Sequence, residues 1–155
     1  MLTDARFATP DDAAELVRLR ALMFEAMGID ASDDAWRHAC HGYLQERLQN
    51  GKIVAAVADA PDGIGLASSG LAEVSAQVPS PLNPSGLAAY LSSFSTDPRW
   101  RRQGMARNVL LLLLDHLRAV GVHRVELHAT PDGLPLYRQF GFKRRPGGQE
   151  MRLDL

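Results

Sequence analysis

Apolar residues recur with two different periods along this chain, and the changes of period divide it into elements. After Thr9, the residues Leu16, Leu19, Met23 and Ala26 fall on one helical face. Thr9 suits the cap of that helix, Pro10 its first turn, and Asp11 and Asp12 the positive end of its dipole. Gly28 is a natural stop. Trp36, Cys40, Tyr43, Leu44 and Leu48 form a second stripe, which predicts a helix from about Ser32 or Asp33 to Asn50-Gly51. Leu2 to Phe7 and Ile53 to Ala58 read as strands. Pro61-Asp62-Gly63 is a turn, and Ile64 to Val74 is expected to return antiparallel because the connection is so short. Ser75 to Gly86 carries Pro79, Pro81 and Pro84 and is expected to be an irregular loop.

The strongest pattern runs from Leu87 to Val120. Leu87 to Thr96 reads as a buried strand, and the stretch from Arg107 to Val120 as an apolar-striped helix ended by Gly121. Between them lies the basic turn Arg101-Arg102-Gln103-Gly104-Met105-Ala106. Arg124 to Ala129 is the next predicted strand, with Val125, Leu127 and Ala129 on one face and Glu126 and His128 on the other. The strand–helix–strand order predicts a parallel pair across a crossover. A short helix is expected over Leu134 to Phe140, stopped by Gly141. A closing hairpin is expected from Phe142–Arg145 and Gln149–Leu155 around Pro146-Gly147-Gly148. The sum is a mixed α/β fold, read as one domain over residues 1–155.

Composition narrows the classes of function. A chain of 155 residues can bury a proper core, and 46% hydrophobic with 23% charged residues is ordinary for a globular domain. A net charge of −1 argues against coating nucleic acid or an anionic membrane. Cys40 is the only cysteine, so no internal disulfide forms and a reducing, cytoplasmic location is expected. Asp4, Arg6, Asp11 and Asp12 interrupt any signal-like apolar run, and Val109 to Leu114 is too short to span a bilayer.

Chemistry concentrates at the basic turn. A strand that feeds a turn opening a helix aims several free backbone N–H groups at one spot, and the helix dipole favours an anion there, above all a phosphate. Gly104 allows close approach to the backbone, and Ala106 adds almost no bulk. Arg99, Arg101 and Arg102 oppose the dipole unless an anion arrives. The spacing is not that of a dinucleotide-binding Gly-x-Gly-x-x-Gly loop.

This turn resembles the cofactor loop of the GNAT superfamily of N-acetyltransferases, Arg/Gln-x-x-Gly-x-Gly/Ala, with Arg101, Gly104 and Ala106 at its fixed positions. The run from Gly133 to Phe142, containing Leu136-Tyr137 and Gly141-Phe142, is similar to the Leu-Tyr-x-x-x-Gly-Phe run that ends the family's last helix. Arg6 to Asp12 is similar to the family's first strand and helix start. The three matches fall in the family's order and span nearly the whole chain. The resemblance implies a single-domain GNAT-like fold: a central mixed, mostly antiparallel sheet with a splayed parallel strand pair, flanked by about four helices. It implies acetyl-CoA as co-substrate, its pyrophosphate held at Arg101, Arg102, Gln103, Gly104, Met105, Ala106 and Arg107. It implies that Phe94, Ser95 and Thr96 align the pantetheine arm and thioester, and that Tyr137 protonates the departing sulfur. Where many members carry asparagine, seven positions before Tyr137, this chain has Thr130.

The acceptor side is less defined. No Asp or Glu stands between Glu73 and Asp97, so a strand carboxylate used as base by some members is missing. Glu73, Glu126 and His128 are candidate bases, with Tyr90 as a water anchor. Glu25, Asp30, Asp33 and Asp34 fall in the join between the first two helices, and capping is the plainer account of them than attraction of a cationic amine. His38, His41, His116 and His123 lack metal-ligand spacing, so no metal is expected. The expected partner is a small-molecule amine rather than nucleic acid or membrane. Dimerisation is common in the family, so a homodimer is allowed, though no stretch announces one. The alternative to an enzyme is a GNAT-like module that binds acyl-CoA without transferring the acyl group.

Overall fold

A computed structural model describes residues 4–145, 147 and 151–155. Among these, five strands form one mixed sheet in sequence order: β1 (Ala5–Phe7), β2 (Ile53–Asp59), β3 (Leu66–Ala76), β4 (Leu87–Thr96) and β5 (Arg124–Leu127). The first four are antiparallel and β5 lies parallel to β4. The helices are α1 (Ala13–Ala26), α2 (Asp34–Asn50), α3 (Met105–Ala119) and α4 (Leu134–Gln139).

Local chemistry sets these boundaries. Before α1, Pro10–Asp12 forms a 3-10 turn in which the Thr9 amide donates to the Asp12 carboxylate at 2.8 Å. Asp33 caps α2, accepting from the Ala35 amide at 3.4 Å, and Gly51 ends it in the left-handed conformation at φ 76°.

The sheet is covered on both faces. Met105, Val109, Leu110, Leu113 and Leu117 of α3 pack on Ala56, Ala58, Ala67, Ala72, Ala89 and Leu91. The small strand side chains let the helix sit close to the sheet. On the other face Ala13, Leu16 and Leu19 of α1 and Leu44 of α2 meet Ile53, Ala55, Val57, Leu66 and Leu71. That two-sided burial explains why β2 reads as a continuous apolar run. Each fully buried leucine contributes roughly 1.5–3 kcal/mol by leaving water.

Two irregularities position the site. The parallel ladder between β4 and β5 runs only from the pair Ala88–Arg124 to Leu91–Leu127. Beyond Leu91, β4 continues to Thr96 with β3 alone as its partner. In that stretch Ser95 faces Ser69 and Ser92 faces Leu71, so β4 holds one extra residue, a β-bulge. Ser93, within the bulge, has φ 55°, uncommon for a side-chain-bearing residue.

Three expectations are corrected. β3 begins at Leu66, not Ile64, after the left-handed Gly63 and Gly65 of the turn. β5 stops at Leu127, so His128 and Ala129 lie beyond the ladder. The closing hairpin does not form among the described residues: 142–145 and 151–155 are not strands, and Pro146 and 148–150 lie outside them. Lys143-Arg144-Arg145 offers no alternate apolar side chains to bury, and Met151 and Leu153 remain 92% and 81% exposed. Leu2 and Thr3, expected in the first strand, also lie outside the described residues.

Candidate active site

The site begins where β4 ends. Asp97 is buried and caps a 3-10 turn, Pro98–Trp100. Its carboxylate accepts from the Arg99 amide at 3.0 Å, from the Arg99 guanidinium at 2.9 Å and from Arg18 Nη1 at 2.8 Å. The Arg99 guanidinium, with help from its amide and from Arg18, holds that carboxyl well below the usual carboxylate range despite burial. Arg18 also donates to Glu15 at 2.7 Å and to the Leu66 carbonyl at 2.8 Å, and Glu15 accepts from the Leu66 amide at 2.8 Å. Helix α1, the start of β3 and the end of β4 are thereby tied together at the entrance to the basic turn.

The turn itself alternates in hand. Arg101 is extended, Arg102 has φ 61° and Gly104 has φ 78°. Such alternation points successive amides into one concavity. The amide of Asn108 donates to the Gly104 carbonyl at 3.1 Å. None of the amides from Arg101 to Arg107 donates to an acceptor among the described residues. Met105 sinks its side chain into the core, so it offers the site an amide and not a thioether. Arg101 Nε approaches the Thr96 carbonyl at 3.5 Å, while Arg102 and Gln103 are exposed. Arg107 reaches towards α4, lying 5.1 Å from the Phe140 ring centre and donating to Gln139 Oε1 at 3.3 Å. At the head of the turn, Trp100 Nε1 is buried with no acceptor among the described residues.

Beside the turn, Phe94 and Tyr137 meet edge to face with ring centres 5.9 Å apart, and Phe142 closes the other side of Tyr137 at 5.8 Å. Gly70 makes room for Phe94, since a Cβ there would lie 2.6 Å from the ring. Tyr137 is 8% exposed, and burial pushes its phenol up to about 12. Its hydroxyl has no hydrogen-bond partner among the described residues. Ser95 and Thr96 are held by Ser68, whose Oγ donates to the Ser95 carbonyl at 3.3 Å and lies 2.9 Å from Thr96 Oγ1. A row of open amides at a helix N-terminus thus lies at the end of a strand whose neighbour stops early, with a buried phenol against that strand. A cavity of about 330 Å³ lined by Leu117, Val122, His123 and Phe142 sits at the opposite end of α3 and meets this arrangement at Phe142.

The sequence profile of the Acetyltransferase (GNAT) family matches residues 13–142, which include the turn, the bulged strand and Tyr137. The chain belongs to the GNAT family. No curated protein sequence matches this GNAT chain. Its fold is shared with a predicted acetyltransferase from Clostridium acetobutylicum, solved with acetyl-CoA, at TM-score 0.84 and 22% identity over 97% of this chain and 96% of that one. A GCN5-related N-acetyltransferase from Ralstonia eutropha gives TM-score 0.83 and 24% identity over 97% and 98%. Glucosamine-6-phosphate N-acetyltransferase from Arabidopsis thaliana gives TM-score 0.75 and 16% identity over 99% and 100%.

The remaining candidates sort by face. Leu91 and Phe94 join the core under α3, so Tyr90 and Ser92 point to the side that α1 and α2 cover. Glu73 opposes Tyr90 across β3 and β4, and Glu126 opposes it across β4 and β5. Tyr43 donates to Glu73 at 3.2 Å, and the His128 ring lies 6.0 Å from that of Tyr90. The candidate bases therefore share one face of this GNAT sheet, opposite Tyr137. Thr130 is occupied with starting α4: its carbonyl accepts from Gly133 at 3.0 Å and Leu134 at 3.1 Å. Of the acidic cluster, Asp33 caps α2, Asp30 accepts from the Ser32 amide at 2.9 Å and Glu25 lies 3.9 Å from Arg37. Among the described residues no group of His, Cys, Asp and Glu could hold a metal, and no helix is long and apolar enough to cross a membrane. Sequence reasoning missed the Glu15–Arg18–Asp97 tie and the placement of Arg20, whose partners are distant in the chain. The only local signal was Asp97-Pro98, a turn-initiating pair.

Proposed function

We propose that this chain, as one domain over residues 1–155, is an acetyl-CoA-dependent N-acetyltransferase that moves an acetyl group directly to the amine of a small acceptor. The observation that carries the reading is the row of unpartnered amides from Arg101 to Arg107 beside the opened seam between β4 and β5. Acetyl-CoA supplies a thioester already activated for attack. The amides, the dipole of α3 and the side chains of Arg101 and Arg102 hold its diphosphate. Backbone groups of Phe94, Ser95 and Thr96 on the side that β5 leaves open align the pantetheine arm and stabilise the developing oxyanion. The amine approaches from the face of Glu73, Tyr90, Glu126 and His128, which receive its proton directly or through water. A C–N bond forms, the C–S bond breaks, and Tyr137 donates to the leaving sulfur.

Burial gives Tyr137 a double character. At about 12 it is protonated throughout the neutral range, so the acid form is always present. Complete transfer to a thiolate with a reference value near ~8.5 would be uphill by roughly 5 kcal/mol. The same apolar walls raise the thiol too, because burial penalises either anion, and this narrows the gap. Rate acceleration then comes chiefly from positioning and oxyanion stabilisation.

Titration calorimetry with coenzyme A tests the foundation, and absence of both binding heat and thermal shift would remove it. The missing carboxylate on β4 supports a second reading, an acyl-CoA-binding module without transfer. Thiol release from acetyl-CoA in the presence of an amine library separates the two.

A further inference from the structure

Of the five half-buried arginines in the first half of the chain, three have an acidic partner, while Arg47 stacks on Tyr43 with its guanidinium 4.3 Å from the ring centre. Arg6 pairs with Asp12 and Asp59, Arg18 with Glu15 and Asp97, and Arg37 with Glu25. Arg20 does not. It is half-buried on α1, its Cζ lies 4.8 Å from the centre of the Phe24 ring, and its only hydrogen bond among the described residues goes from Nη1 to the Ser93 hydroxyl. No carboxylate lies within 4.0 Å of it among the described residues. A guanidinium carries five donors, so most of its hydrogen-bonding capacity is unspent. Desolvating such a charge without a counter-ion is costly.

Its location gives that imbalance a meaning. Ser93 is the left-handed residue of the β4 bulge and directly precedes Phe94. Arg20 comes to it from α1, on the face that carries Tyr90, Glu73 and Glu126, opposite Tyr137. The aromatic wall continues from Phe24 to Trp36, whose rings meet edge to face at 5.7 Å.

We infer that Arg20 is the specificity-determining residue for the acceptor, and that the acceptor is an amine carrying an oxyanion, carboxylate or phosphate, a few bonds from its nitrogen. The inference rests on the transferase reading above. In this arrangement the guanidinium takes the oxyanion while Glu73, Glu126 and His128 face the ammonium. The two charge signs then orient a zwitterion across the bulge.

The test measures thiol release from acetyl-CoA by wild type, Arg20→Met and Arg20→Lys with paired acceptors: amino acids against their amides, and glucosamine 6-phosphate against glucosamine. Wild type should favour the anionic member of one pair by roughly tenfold to a hundredfold in kcat/KM, the range expected for a charge-assisted contact. Preference in the amino acid pair identifies a carboxylate, and in the sugar pair a phosphate. Arg20→Met should erase the preference while leaving coenzyme A affinity and the uncharged members unchanged, and Arg20→Lys should restore part of it. Equal use of both members by wild type would overturn the inference. So would a uniform loss across all acceptors in Arg20→Met, which would mark Arg20 as a brace for the bulge. If no amine releases thiol, binding to the coenzyme A complex decides instead. N-acetylglycine or inorganic phosphate should bind wild type and not Arg20→Met, and equal binding to both proteins, or binding to neither, would overturn the inference. Failure of coenzyme A itself to bind would strike the transferase reading separately.

Discussion

Tyr137 shows how surroundings rather than residue type define a chemical group. Wedged between Phe94 and Phe142, it keeps its proton up to about pH 12. Replacing it with phenylalanine should lower turnover by roughly a hundredfold or more, with coenzyme A affinity by calorimetry unchanged. The pH–rate profile should rise as the acceptor amine deprotonates and show no alkaline fall from Tyr137 before about 12. Asp97 is the opposite case, since Arg99 and Arg18 stabilise its charged form. A carboxyl whose folded value is depressed contributes stability that is present above its unfolded value and lost as pH falls towards the folded one. Thermal stability should therefore fall from about pH 4 downwards, and Asp97→Asn should remove that part of the acid dependence. The same substitution should cost about 1.5–3 kcal/mol at neutral pH, because it removes the buried carboxylate that accepts from Arg99 and Arg18, although Arg18 keeps Glu15.

Among the elements, β4 and α3 were the most legible in sequence. Leu87 and Thr96 bound the strand as its apolar run predicts, and the α3 stripe from Val109 to Leu117 is buried as its spacing requires. These features are local: they depend on period, on Gly104 and on Gly121. The bulge at Ser93 was not legible, because nothing in Leu91-Ser92-Ser93-Phe94 records that Gly70 leaves space opposite. The early end of β5 and the lack of strand at 142–145 and 151–155 among the described residues were not legible either. Arg124 to Ala129 alternates like a longer strand, and Gln149 to Leu155 alternates like another, but pairing needs a partner that no local pattern reports. The basic turn was found through its glycine and arginines, and the fold adds that its amides are open. Gly104→Val should cost about 1–2 kcal/mol from the left-handed backbone alone and crowd the anion's approach. Coenzyme A affinity should fall by about tenfold or more, while the circular dichroism spectrum stays unchanged.

At the level of the whole molecule, one sheet separates two kinds of chemistry. The face under α3 carries Phe94 and Tyr137, and the face under α1 and α2 carries Glu73, Tyr90, Arg20 and Glu126. The chain from Asp97 through α3 to Val122 both joins β4 to β5 and bears the open amides, so the segment that closes the topology also borders the seam where the two strands part. The Glu15–Arg18–Asp97 tie links α1 to the mouth of the turn across 79 positions of sequence.

The short β4–β5 ladder has a consequence for solution behaviour. Four residue pairs make a weak zipper, and past Leu91 one edge of β4 has no strand partner among the described residues. Deuterium uptake by amides of residues 92–96 on that edge should be rapid in the free protein and slow sharply once coenzyme A is added, whereas β2 amides should remain protected in both states. A pantetheine arm lying there would behave as a borrowed strand, completing by its own amide groups a hydrogen-bonding edge that the polypeptide leaves unfinished.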